Sequence, residues 1–249
     1  VPLGLYTRAY ALMMLPAQKF NGPMTAVAVP ALARLVGAPQ QYRAFYRKAL
    51  ERVTLITLPP LAYLAITAPE LVPLVLGEQW IDAVPIFFAL IPAAIMAATN
   101  IATGWVYLSV GHVNRQLQWA WINSPILLIS MAAGLPWGGV GVAIGVSVSR
   151  CLTKIPGLLY CYNHTPVMLR DFVEPFWSSC VITAVPVVAA VVVRVLGSSA
   201  GWGEVEMLAA VTVTFVIVFV IRMWTSRAGR EAVRESWKLV RPRSERLPW

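Results

Sequence analysis

Carboxylates are few in this sequence: eleven Asp and Glu in 249 residues, against twenty Lys and Arg. None stands in the middle of an apolar run, since Glu70 lies near the end of one and Asp171 and Glu174 precede another. A proton or sodium relay inside a membrane normally needs a buried carboxylate or histidine. The two histidines, His112 and His164, fall between runs, so no ion-coupling site is read from this chain. Charge of either sign is scarce too, at 12% of residues against about 25% in an ordinary soluble domain. With 58% hydrophobic residues, that excludes disorder and argues against a water-soluble domain. Cysteine is limited to Cys151, Cys161 and Cys180, an odd number without metal-ligand spacing, which speaks for packing over a disulfide framework. There is no zinc signature, phosphate-binding glycine loop or nucleophile elbow, so no metal, cofactor or catalytic residue is assigned. A short charged and apolar signal peptide is also missing. The chain opens on Val1 and runs straight into helix-like sequence, and it reads as a piece of something longer.

What is abundant is charge-free, largely apolar sequence, as in Val53 to Pro69 and Gln116 to Ser149. A transmembrane helix needs about 20 mostly apolar residues. That length gives seven expected spans, roughly 5–33, 53–76, 84–110, 117–135, 138–160, 175–196 and 205–225, and so an all-α integral membrane protein. The run Gln116 to Ser149 is too long for one upright span and too short for two. The turn signal Pro136-Trp137-Gly138-Gly139 places the break and lets the fifth helix continue through Arg150 and Lys154. Gly138, Gly139, Gly141 and Gly145 then read as a turn followed by a close-packing helix face.

The net charge of +9 would suggest nucleic acid in a soluble protein. Here the basic residues collect at the ends of apolar runs without an RNA-binding signature, so they are read as topology signals facing anionic lipid headgroups. With seven spans, seventeen of the twenty fall on one side: Arg34, Arg43, Arg47, Lys48 and Arg52, then Arg115, then Arg150, Lys154 and Arg170, then eight between Arg222 and Arg246. Arg8 and Arg194 fall on the other, and Lys19 sits mid-span. Merging the fourth and fifth helices would put basic segments on opposite faces. The expectation is therefore a bundle over 1–225 with an outside amino end. A basic amphipathic tail over 226–249 follows on the cytoplasmic side, with Arg227, Arg230, Arg234, Lys238 and Arg241 at helical steps.

Four polar residues inside the spans are the candidate substrate-binding residues: Lys19, Asn100, Arg150 and Lys154. A lysine at mid-span costs at least about 2.5–3.5 kcal/mol on insertion scales. Lys19 therefore reads as a cationic anchor facing a cavity, unless it pairs with a neighbouring helix or snorkels. Pro16, Pro23 and Pro30 recur every seven residues around it and bend the first helix toward one side. Each frees a carbonyl four residues earlier, which together with Gln18 and Asn21 points that face to an aqueous interior. Arg150 and Lys154 are four apart and share one helical face. They form either a cationic wall for a phosphate or acidic sugar, or a pair that snorkels to the cytoplasmic interface. Asn100, with Thr99 and Thr103, makes a polar patch suited to hydrogen bonding between helices.

Several stretches, in order and spacing, carry a family resemblance. They are Gly4-Leu5-Tyr6-Thr7-Arg8-Ala9-Tyr10 leading to Leu15-Pro16, Val29-Pro30-Ala31-Leu32-Ala33-Arg34-Leu35, and Val75-Leu76-Gly77-Glu78-Gln79-Trp80 followed by Ala83-Val84-Pro85. Gly104-Trp105 before Ser109-Val110-Gly111, Gly134-Leu135-Pro136-Trp137-Gly138 and Gly141-Val142 complete the set. Over about residues 4–145 the chain resembles the second half of bacterial polysaccharide exporters, the lipid-linked oligosaccharide flippases of the multidrug/oligosaccharidyl-lipid/polysaccharide superfamily. The resemblance implies a transporter of two six-helix lobes plus carboxyl-terminal helices, working by alternating access in the bacterial inner membrane. Its substrate would be an undecaprenyl-pyrophosphate-linked glycan. This chain would supply most of the second lobe, lacking its first helix, and its partner would be the missing amino-terminal lobe. His112 and Lys19 depart from the family pattern. The second reading is a drug or lipid exporter of the same superfamily; drug exporters tend to bind cations, which a cationic and carboxylate-free half-cavity disfavours. A membrane polymerase or glycosyltransferase would need activated carboxylates, and only Glu78 and Asp82, flanking Trp80, form an outside pair.

Overall fold

A computed structural model of the chain describes residues 2–226, 229 and 230, without the side chains at 2, 3, 5, 8, 9, 12 and 14–21. The tail expected over 226–249 thus lies outside the described residues except at Ser226, Gly229 and Arg230, as does the side chain of Lys19. Among the described residues there are seven α-helices and no strand: α1 (Pro2–Arg34), α2 (Pro39–Leu76), α3 (Val84–Val110), α4 (Val113–Gly134), α5 (Gly138–Tyr162), α6 (Leu169–Ser199) and α7 (Glu204–Thr225). Two short 3₁₀ segments, Glu78–Ala83 and Leu135–Trp137, join α2 to α3 and α4 to α5.

The protein is an all-α membrane protein, as the apolar runs require: in hydrocarbon a backbone must satisfy its hydrogen bonds within its own segment. By length and hydropathy, five helical stretches among the described residues can cross a bilayer: Pro39–Leu76, Glu78–Val110, Val113–Tyr162, Leu169–Ser199 and Glu204–Thr225. The expected seven differ from these at two points. The stretch carrying Arg8, Gln18, Lys19 and Asn21, α1, is not among the five, and Val113–Tyr162 joins two helices. That joined stretch is folded back on itself. Gly138 takes φ +67 at the turn, a conformation that glycine adopts without a Cβ penalty. Beyond it a Cβ at Gly141 would collide with the Gly134 carbonyl, and one at Gly145 with the Ser130 carbonyl. Numbers that rise on α5 as they fall on α4 define an antiparallel hairpin at backbone contact, the turn and close-packing face read from the glycines.

Residues 39–52, expected between spans, are helical and continuous with α2. Pro39 stands in the first turn, where its missing N–H costs nothing, and no helix breaker follows until Pro59. At 38 residues, α2 is about 57 Å long and outreaches the hydrocarbon core of about 30 Å, carrying Arg43, Arg47, Lys48 and Arg52 past it.

The connections sort into two ends. Arg43 Nε donates to the Pro166 carbonyl at 2.5 Å, and Arg115 donates to the carbonyls of Asn163 at 2.6 Å and Tyr160 at 3.1 Å. These contacts gather the α1–α2, α3–α4 and α5–α6 connections at one basic end. Near the opposite end Arg194 of α6 holds Glu70 of α2 in a bidentate pair at 2.7 and 3.1 Å.

Three apolar clusters fill the bundle. One, around Leu61, Phe87, Leu90 and Ala143, lies toward the end opposite the basic one; a second, around Tyr42, Tyr46, Trp105, Leu158 and Phe172, lies toward the basic end. A third joins α6 to α7 through Ala190, Met207, Val211 and Phe215, with Tyr63 of α2 packed against it. Between the first two, α3 carries Pro92 within its length, and the Ser147 hydroxyl of α5 approaches the helix there. It donates to the Ala89 carbonyl at 2.5 Å and accepts from the Ala93 amide at 3.3 Å, bridging two backbone groups next to the proline that lacks its own N–H. In contrast α4 buries only Gly134 and exposes Leu117, Trp121, Leu128 and Ile129, a surface that suits lipid or a further protein layer.

Candidate functional site

Because α4 and α5 touch along their glycines, side chains that flank the contact face each other across a narrow gap. Gly157 of α5 leaves room for the Trp119 indole, whose ring a Cβ there would meet at 3.0 Å. One turn further along α4 stands Asn123, and α3 closes the third side with Asn100, Thr103 and Tyr107. Arg150, Thr153 and Lys154 of α5 form the floor of this open notch of about 60 Å³. Ligand pockets usually measure about 300–1,000 Å³, so the notch holds one polar group and not a whole sugar.

Three of the four candidate residues meet here. Lys154, only 8% exposed, donates from Nζ to Asn100 Oδ1 at 2.9 Å. Its ammonium also lies 4.9 Å from the centroid of the Phe172 ring of α6, a favourable cation–π distance. An ammonium has three donors and the amide accepts one. Among the described residues neither Lys154 nor Arg150 has an ion-pair partner. The Asn123 side-chain oxygen is buried without a hydrogen-bond partner, an arrangement that costs about 1–3 kcal/mol if nothing fills it. Thr103 donates to the Asn100 carbonyl at 2.6 Å and Thr153 to the Ser149 carbonyl at 2.8 Å, so both hydroxyls turn only lone pairs to the gap.

The wall behind Trp119 is built of stacked groups. Its ring stacks on Tyr160 with centroids 5.6 Å apart, and the Arg115 guanidinium lies 4.7 Å from the Tyr160 centroid. The Tyr160 hydroxyl donates to Gln118 Oε1 at 2.7 Å. These contacts hold the indole in place while α4 as a whole is little buried.

Snorkelling does not describe Lys154: the side chain turns across the bundle to α3 and α6 instead of along α5 toward the interface. The two α5 cations, counted by sequence with the basic end, stand inside the bundle. They precede the last residue of α5, Tyr162, by eight and twelve residues, or about 12 and 18 Å. The physical reason is the polar amide of Asn100 at the depth of Lys154, where Phe172 closes over the ammonium. Asn100 makes the interhelical hydrogen bond expected of it. Trp119, Asn123 and Phe172 were not singled out by sequence reasoning. An Asn four residues after a Trp in an apolar run was the available signal for the first two; nothing local marks Phe172. Glu78 and Asp82 are exposed in the 3₁₀ segment before α3, at the other end of that helix from its basic-end connection. Among the described residues no group of three or more His, Cys, Asp or Glu could hold a metal ion.

Comparison with known proteins adds a family. Residues 2–85 match the family described as polysaccharide biosynthesis protein. The lipopolysaccharide biosynthesis protein WzxC of Escherichia coli (strain K12) is 25% identical over 179 residues, 70% of this chain and 36% of that protein. An uncharacterised membrane protein in the cps region of Klebsiella pneumoniae matches to the same extent. The teichuronic acid biosynthesis protein TuaB of Bacillus subtilis (strain 168) is 28% identical over 127 residues, 51% of this chain and 26% of that protein. The chain thus spans little more than a third, or less, of the curated relatives it matches. No solved structure matches it. Over most of its length, then, this multi-pass membrane chain is similar to bacterial polysaccharide biosynthesis proteins, and the family match covers α1, α2 and the turn into α3.

Proposed function

We propose that the chain forms most of the second lobe of a two-lobe exporter that moves lipid-linked glycan precursors across the bacterial cytoplasmic membrane by alternating access. The basic end, with the carboxyl-terminal tail, faces the cytoplasm and its anionic lipids. A further lobe completes the path, and the substrate is an undecaprenyl-pyrophosphate-linked glycan. In this reading Lys154, Arg150 and Asn100 hold an anionic part of the substrate, and Lys19 of α1 adds a fourth contact. The chain acts as a carrier and not as an enzyme.

The observation that carries the reading is the cation pair of an open notch, buried Lys154 beside half-buried Arg150, with no carboxylate partner among the described residues. A charge so placed is costly, and an anionic ligand would compensate it. The relatives' names, lipopolysaccharide and teichuronic acid biosynthesis, agree with a glycan as cargo. The test is charge removal in the intact protein in its host, with Lys154→Met, Arg150→Gln and Lys19→Gln compared one by one. Surface polysaccharide is expected to fall at least about tenfold for Lys154→Met while membrane abundance stays normal. Undiminished polymer in all three variants would sink the assignment of these residues.

A further inference from the structure

The balance of donors and acceptors in the α3–α4–α5 notch goes one step further, on the reading that the notch holds substrate. The gap offers positive donors from Lys154 and Arg150, the unpartnered Tyr107 hydroxyl, and three oxygens whose own protons are committed or absent: Thr103 Oγ1, Thr153 Oγ1 and Asn123 Oδ1. A phosphate diester or pyrophosphate linker carries only acceptors. Set in the notch, it would satisfy the cations and leave the Asn123 oxygen as orphaned as before, repelled by the ligand's own oxygens. A neutral sugar would satisfy the oxygens through its hydroxyls and leave Lys154 without a counter-charge. Both needs are met by a group with a carboxylate and neighbouring hydroxyls on one small ring edge. The small volume agrees, since it admits that edge alone, with the Trp119 indole as an apolar wall for the rest of the ring.

We infer that the notch recognises a hexuronic acid unit of the glycan: its carboxylate lies on Lys154 and Arg150, and an adjacent hydroxyl donates to Asn123 Oδ1. The specificity follows from the penalty for unmet buried groups, which discriminates more sharply than added apolar contact.

The experiment uses the intact protein in nanodiscs, with ligand binding followed by saturation-transfer NMR for glucuronate, glucuronamide, glucose and inorganic pyrophosphate. Glucuronate is expected to bind and the isosteric neutral amide to bind at least about tenfold more weakly. Lys154→Met should abolish the glucuronate signal. Asn123→Leu should weaken glucuronate at least about fivefold without changing any pyrophosphate signal, and Asn123→Ser, which keeps an acceptor, should restore part of it. Folding of each variant is checked by its thermal unfolding midpoint. Pyrophosphate binding at least as tightly as glucuronate, indifferent to Asn123→Leu but lost in Lys154→Met, would overturn the uronic acid assignment and leave the exporter reading intact. Equal binding of glucuronate and glucuronamide would also overturn it. If no anion responded to Lys154→Met and polymer export were normal in that variant, the substrate role of the notch would fall as well.

Discussion

Along the seam between α2 and α6, Arg47 meets Asp171 at 3.0 Å and also Glu174, while at the far end Arg194 grips Glu70 with both arms of its guanidinium. In the notch between α3, α4 and α5, Lys154 is buried, and among the described residues no carboxylate pairs with it; an amide and a ring attend it. The first seam is closed by opposite charges from helices over a hundred residues apart in sequence. The second is closed by glycines that bring backbones into contact, and its charge is left over. The bundle neutralises cations where α2 and α6 must stay together and leaves them unpaired, among the described residues, where three helices surround a gap; on the proposed function the second kind is the charge that meets a ligand. Arg150 and Lys154, in the half of α5 nearer the basic end, belong to the second kind.

Filling the glycine contact breaks this contrast most severely. Gly145→Leu sets a side chain against the Ser130 carbonyl, where rigid backbone cannot yield, and overpacking of this kind costs about 3 kcal/mol or somewhat more. The thermal unfolding midpoint of the intact protein in detergent should drop sharply and substrate export should fail; an unchanged midpoint would mean that α4 is not held at backbone contact. A smaller loss is expected on the other seam. Asp171 forms an ion pair with Arg47 at 3.0 Å, lies 3.7 Å from Arg43 Nε and accepts a hydrogen bond from the Met168 amide at the start of α6 at 2.9 Å. Asp171→Asn should therefore destabilise by about 2 kcal/mol, below the usual 3–5 for a fully buried pair because the arginines are partly exposed. Denaturant titration of the same preparation measures it. The smallest effect has the opposite sign. Lys154→Met replaces an uncompensated buried ammonium by an apolar side chain of similar length, and the protein should gain up to about 1 kcal/mol. A lower midpoint would make Lys154 a structural residue like Arg194 and erase the contrast.

Much of the architecture is legible without coordinates, and the reason is local. The turn at Pro136-Trp137-Gly138-Gly139 is marked by a proline and two glycines, which disfavour a continuous helix, and it appears as a 3₁₀ segment closed by a glycine at positive φ. The helical extension of α2 over 39–52 is less legible, since the charges there mark where hydrocarbon ends and not where the helix does. In the site, Asn100, Arg150 and Lys154 can be found because polar residues in apolar runs are rare. Trp119 and Phe172 cannot, because an aromatic residue in such a run is ordinary until its neighbours are known.

Amino-acid order alone determined the helices, the hairpin break and the basic end, since hydropathy, proline, glycine and the Lys/Arg bias act within a few residues and lipid forbids any backbone that is not satisfied within its own segment. Which way each helix faces was decided only by tertiary packing. The rotation of α5 that carries Lys154 inward to Asn100, the pairing of Glu70 with Arg194 across 124 residues and the approach of Trp119 to Gly157 depend on neighbouring surfaces that no single segment specifies.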